Sequence, residues 1–215
     1  MAEPDVLSPA APYGMPEKRR AITVAARRVF GREGYTRASV DAIAAEAGVS
    51  KRTIYNHFTD KENLFLSVAL EGATEVTETI AEIMDRHLRK IVDLEADLVA
   101  FGLDRVAAVS ARPDHFALVR TIQAEAPRIP AKVLAAWKEA GPLTAHLRLA
   151  PYLSRIAERG LLVIEDADEA ANHFNLLTIT DVNQRSFFGA IPLPEGEVER
   201  IVTNGVRTFL RLYRA

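Results

Sequence analysis

Apolar residues Ile22, Ala25, Ala26, Val29 and Phe30 recur at helical spacing, with Arg19, Arg20, Arg27, Arg28 and Arg32 largely on the remaining surface. The pattern predicts a first helix that stops near Glu33. Gly34 stands where a left-handed residue ends a helix, and Tyr35 can fold back onto it. Ser39 caps a short helix running to Ala47, with Asp41 near its positive end. Gly48 closes that helix, Val49 points inward from the turn, and Ser50 caps the next short helix, Lys51 to His57. Two short helices joined by so tight a turn make a helix-turn-helix. Thr59 and Glu62 have capping-box spacing and open a long fourth helix towards Lys90, which Thr59 is expected to cap.

Further helices are predicted from Leu94 to Ser110, Pro113 to Ala126, Ala131 to Ala140, Pro142 to Arg159, Ala167 to Phe188 and Glu195 to Arg214. Pro113, Pro127, Pro130, Gly141-Pro142, Gly160, Pro192 and Pro194 punctuate them. Pro151 falls inside one of these helices, where it is expected to kink or split it. Leu161 to Ile164 is the one short strand candidate, and no repeat of 20–50 residues occurs. The fold class is therefore all-α. Three regions are expected: an arm over 1–15, a helix-turn-helix domain over 16–61, and a larger helical domain over 62–215.

With 215 residues and 48% hydrophobic content, the chain can bury a substantial core. It has no Cys, which excludes disulfides and thiol chemistry and fits a cytoplasmic protein. The first fifteen residues lack the basic-then-apolar order of a signal peptide and read as a disordered arm. Charges interrupt every apolar run before the roughly 20 residues a bilayer requires, so no membrane partner is expected. Net charge is −2, from 27 basic and 29 acidic residues, but its distribution is uneven. Between Pro16 and Lys61 stand ten basic residues and five acidic ones, a positive segment in an acidic chain.

The second helix of such a motif enters the major groove with its leading residues at base edges, so the expected partner is double-stranded DNA. Arg52 has the planar fork that takes guanine O6 and N7 together, and Asn56 has the groups for an adenine edge. Lys51, Thr53, Tyr55, His57 and Lys61 suit phosphates, which position a protein without reading sequence. For Tyr55, packing against a neighbouring helix stays equally open. Thr36, Arg37, Ser39 and Ser50 flank the two short helices, and backbone N–H groups opening the second and fourth helices add phosphate sites.

The run from Ile43 to Phe58, continued by Lys61-Glu62-Asn63-Leu64-Phe65, closely resembles the DNA-binding sequence of the tetracycline-repressor (TetR) family. Many members of that family have Gly where this chain has Arg52, so no operator sequence is carried over. Leu153 to Ala171 and the residues around Arg185 to Gly189 are similar to the AefR-like branch. The resemblance implies a homodimer built on the two C-terminal helices, an effector pocket among the middle helices, and a repressor released from a palindromic operator. An activator, or an architectural DNA-binding protein without effector, are the alternatives.

His87, His115, His146 and His173 show no metal-binding spacing, so neither metal nor cofactor is expected. Sequence motifs of phosphate loops, dinucleotide folds and nucleophile elbows are missing, which points away from an enzyme. Phe101, Phe116, Trp137, Tyr152, Phe174 and Thr178 are candidates to line an effector pocket, with His146, Asn175 and Asp181 as its polar groups. The alternative is that the aromatics simply fill the core. Phe187, Val198, Ile201, Val202, Val206 and Phe209 are the expected dimer contacts, and Gly205 permits a close helix approach.

Overall fold

The computed structural model describes residues 15–215, and these are all-α. The expected arm lies outside the described residues except for Met15, which opens α1 (Met15–Glu33). The helix-turn-helix is α2 (Val40–Ala47) and α3 (Lys51–His57), followed by α4 (Lys61–Leu88). The rest of the chain folds into α5 (Leu94–Ser110), α6 (Pro113–Glu125), α7 (Ala131–Lys138), α8 (Thr144–Glu158), α9 (Ala167–Asn175), α10 (Asp181–Arg185) and α11 (Glu197–Tyr213). In place of a strand, Leu162 forms an isolated bridge with Arg214, and Val163 N donates to Tyr213 O at 2.7 Å.

Local chemistry sets the short helices. Ser39 accepts from Ala42 N and Ser50 from Thr53 N, each at 3.0 Å, while Gly48 takes the left-handed conformation at φ 65°. The cap of α4 is Asp60, which accepts from Asn63 N at 2.7 Å, and Thr59 does not serve. A full negative charge at a helix's positive end outdoes a hydroxyl one residue away. Glu62 instead pairs with Lys132 of α7 at 2.6 Å.

Pro151 does not split α8, which runs through it with the proline on the exposed side. The irregularity falls earlier. A π-turn, Glu139–Leu143, joins α7 to α8 around Pro142, and its wider turn accommodates a ring that would crowd an α-helical carbonyl. A second π-turn, Leu176–Thr180, joins α9 to α10.

Two apolar clusters hold the chain together. One contains Ile22, Phe30, Ile43, Ile54 and Phe65, and it continues past residue 61 to take in Leu118 and Ile122 of α6 and Val133 of α7. The other gathers Met84, Leu98, Phe101, Leu153, Phe174, Val202 and Phe209, with the Phe174 ring 5.5 Å from Phe101 and 5.4 Å from Phe209.

Candidate nucleic-acid interface and ligand cavity

Ile54 anchors α3 in the core, and Lys51, Arg52, Tyr55 and Asn56 face solvent, with Thr53 and His57 half-buried. Tyr55 is 47% exposed, which favours the outward reading over packing. Lys51 Nζ bonds Asp41 Oδ2 at 3.0 Å, and that hydrogen bond holds its ammonium above the usual lysine range. Arg52 has no ion pair among the described residues. Thr53 and Ser50 share a hydroxyl hydrogen bond at 2.8 Å, so both are engaged in the cap.

Lys61 is differently employed from the phosphate contact its charge predicts. Its ammonium donates to the carbonyls of Tyr35 (2.9 Å), Ala38 (3.2 Å) and Thr36 (3.4 Å) and lies 4.8 Å from the centre of the Tyr35 ring. It therefore closes the loop between α1 and α2. Thr36 points to the body instead: its N–H and hydroxyl both donate to Glu125 of α6, at 2.9 and 2.8 Å. Arg37 donates from Nε to Glu33 O at 3.0 Å.

Carboxylates hold part of the positive charge of this segment. Arg19 pairs with Glu71 at 2.7 Å, Arg27 with Glu75 at 3.2 Å and Arg28 with Asp114 at 3.2 Å, fastening α1 to α4 and α6. Arg32 pairs with Glu33 and Glu46.

A cavity of about 500 Å³ opens among α4, α5, α6, the Pro142 π-turn and the α9–α10 rod. Of the predicted pocket residues, Phe116, Trp137, His146 and Asn175 line it. Phe101, Phe174 and Thr178 are sealed in the core, with Thr178 Oγ1 donating to Phe174 O at 2.6 Å. Tyr152 lies elsewhere, donating to Asp85 at 2.5 Å, and Asp181 accepts from Arg185 at 2.8 Å.

Sequence reasoning missed Arg105 and His115, both on the wall. Arg105 is only 6% exposed; Nη1 donates to Asn175 Oδ1 at 2.6 Å, and Nε has no partner among the described residues. Burial pulls its guanidinium down to about 10. His115 is 5% exposed with Nδ1 unpartnered, and burial, aided by Arg27, pushes its imidazole down to about 4. The signal was available: Arg105 falls in helical phase with the buried Leu98, Phe101 and Gly102, where a charge has no ordinary place. Phe188 closes the far wall on a strained turn, with Phe187 and Phe188 at φ 48° and 52°. Arg120 of α6 steadies that turn by donating to Phe188 O at 2.7 Å.

The residues expected at a dimer contact divide. Ile201, Val202, Val206 and Phe209 are buried in the protomer's own core, and Gly205 backs onto the Leu177 carbonyl so closely that a side chain there would collide with it. Amphipathic spacing marks a face as buried without saying against which chain. Val198 is half-buried on the same cluster, and Phe187 alone stands well out, at 62% exposure.

With this geometry in hand, comparison with known proteins places the chain. The profile of the AefR-like transcriptional repressor C-terminal domain matches residues 96–215, and that of the bacterial regulatory proteins of the tetR family matches residues 22–68. The chain belongs to the TetR family. A putative TetR-family transcriptional regulator from Mesorhizobium loti MAFF303099 is 30% identical with a TM-score of 0.84, over 95% of this chain and 100% of that one. The flavonoid-responsive regulator FrrA is also 30% identical, with a TM-score of 0.66 over 93% of this chain and 98% of its own. The repressor AcnR of Corynebacterium diphtheriae is 43% identical over 65 residues, 30% of this chain. That match spans about a third of AcnR's own length. TetR relatives are DNA-binding regulators and not enzymes, and no helix among the described residues is long and apolar enough to cross a membrane.

Proposed function

We propose that this TetR-family protein is a cytoplasmic homodimeric repressor that holds an inverted-repeat operator through α3 and lets go when a small, largely apolar effector fills the cavity. The observation that carries the reading is the double role of α6. His115, Phe116 and Val119 face the cavity, while Leu118 and Ile122 belong to the core of the reading head. Thr121 Oγ1 donates to Phe30 O at 3.3 Å, and Glu125 holds Thr36, so α6 is bonded to α1 and to the loop before α2. A ligand that moves α6 therefore moves the head, and DNA and ligand oppose one another through the coupling between two head positions.

Arg52 and Asn56 read bases in this proposal. Lys51, Tyr55, His57 and the residues opening α2 and α3 meet phosphates. The dimer uses the outward side of the C-terminal helices, where Leu176 and Phe187 are exposed, in place of their inward valines. Selection of fragments from a random DNA pool tests the reading. Enrichment of an inverted repeat is expected, and recovery of single half-sites only, or of nothing, overturns it. An activator is the second reading, favoured by FasR of Mycolicibacterium smegmatis, named a transcriptional activator and 46% identical over 52 residues.

A further inference from the structure

We propose that the cavity takes an organic anion, an apolar body bearing one carboxylate, with Arg105 as its counter-ion. The inference rests on the reading of this cavity as the effector site and narrows the chemistry of what enters it. Arg105 is more than nine-tenths buried on the cavity wall, and its charge meets only neutral groups, the Asn175 amide at 2.6 Å and the Phe101 ring at 5.3 Å. No Asp or Glu is among the lining residues, and Lys138 at the rim adds a second cation.

The guanidinium stays protonated at neutral pH even after burial has drawn it down to about 10. A buried cation without a counter-ion is costly, and Arg27, another largely buried arginine, has its carboxylate in Glu75. A carboxylate restores the balance, because its two oxygens match the guanidinium fork and can take the free Nε–H. His115 lines the same wall, but its unpartnered Nδ1 lies over Gly72 of α4, so it adds the flank of its ring and not a bond to the head group. Val76, Ile80, Val119 and Ile179 make much of the remaining wall apolar, interrupted by Thr77, Gln123, Asn172, Thr180 and Asn183, which suits a ligand whose body is mainly apolar.

Trp137, the one tryptophan of the chain, lines the cavity and reports occupancy by its emission. The full-length protein is titrated with octanoate and 3-phenylpropionate, each against its primary amide, and the thermal midpoint is followed in parallel. Each acid is expected to bind at least tenfold more tightly than its amide. Arg105→Gln is expected to erase that advantage while leaving amide binding in place, and Arg105→Lys to keep part of it. Equal binding of acid and amide by the unaltered protein, or no response to either acid, overturns the proposal. So does an acid preference that survives in a folded Arg105→Gln protein. The unaltered protein decides the matter if that variant does not fold. Release of labelled DNA selected from the random pool is read separately. An acid that binds in preference to its amide yet leaves DNA bound keeps the anion site and removes the effector reading. An amide that binds as well as its acid and releases DNA does the reverse.

Discussion

In the reading head, Ile22, Phe30, Ile43, Ile54 and Phe65 are sealed against one another, and the short helices end on caps whose donors and acceptors meet. In the body, two helical rods each carry a π-turn, about 500 Å³ stays open, and Arg105 and His115 are buried with nitrogen atoms unpartnered. A surface that must present side chains to DNA in a fixed geometry gains from sealed packing and satisfied caps; Arg27 Nε is buried there without a partner among the described residues, but its guanidinium already holds Glu75. A pocket that must respond to a small molecule needs groups the protein itself leaves wanting, and it tolerates them because π-turns and gaps give the body room to repack.

The largest expected effect lies at Val202, which is fully buried and packs towards Gly102 of α5. Val202→Asp is expected to cost about 4 kcal/mol or more and to unfold the protomer. A folded, monomeric Val202→Asp protein on sedimentation would return this residue to the dimer contact.

A smaller effect comes from His115, whose imidazole titrates near 4 when folded, against an ordinary value near 6.5. Between those values the unfolded chain takes up a proton that the folded chain refuses, so stability falls as pH drops from about 6.5 to about 4. Loss of up to about 3 kcal/mol is expected over that window. Urea unfolding across the range checks it, and His115→Gln should flatten the slope.

Within the head, Arg52 and Lys61 sharpen the contrast between reading DNA and holding shape. Arg52→Ala should cost about 1–3 kcal/mol at one base position of each half-site, with the melting midpoint unchanged. Lys61→Ala should instead lower stability by about 1–3 kcal/mol, because it leaves three loop carbonyls without their donor. Matching profiles for the two variants would abolish the distinction drawn between them.

The head was legible because its determinants act over three or four residues. Ser39, Ser50, Gly34 and Gly48 declare their roles through spacing alone. Even there, the Thr59–Glu62 spacing points one residue short of Asp60, the residue that caps α4. The body depends on who meets whom across the chain. The periodicity of α11 marked Val202 and Val206 as buried, but the protomer's own α5 and π-turn claim that face. The sequence marks Gly141-Pro142 as a boundary between helices and Pro151 as a kink within one, whereas the packed structure has a wide turn at the first and a continuous helix at the second. Of the nine residues expected at a pocket, four aromatic or polar groups, Phe116, Trp137, His146 and Asn175, line the cavity. Arg105 escaped because a charge on an apolar stripe was not treated as a signal.

The pairs that tie α1 to α4 and α6 bear on how the protein meets changes in ionic strength. Each cation that reaches a phosphate displaces condensed counter-ions, so added salt weakens the grip in proportion to the number of such cations. Here Arg19, Arg27 and Arg28 already face Glu71, Glu75 and Asp114 across the joint between head and body, all but Arg27 at exposed or half-exposed positions. Mobile ions screen those pairs as well. Ionic strength thus acts on two quantities together, the strength of the hold on DNA and the stiffness with which the body carries its reading head.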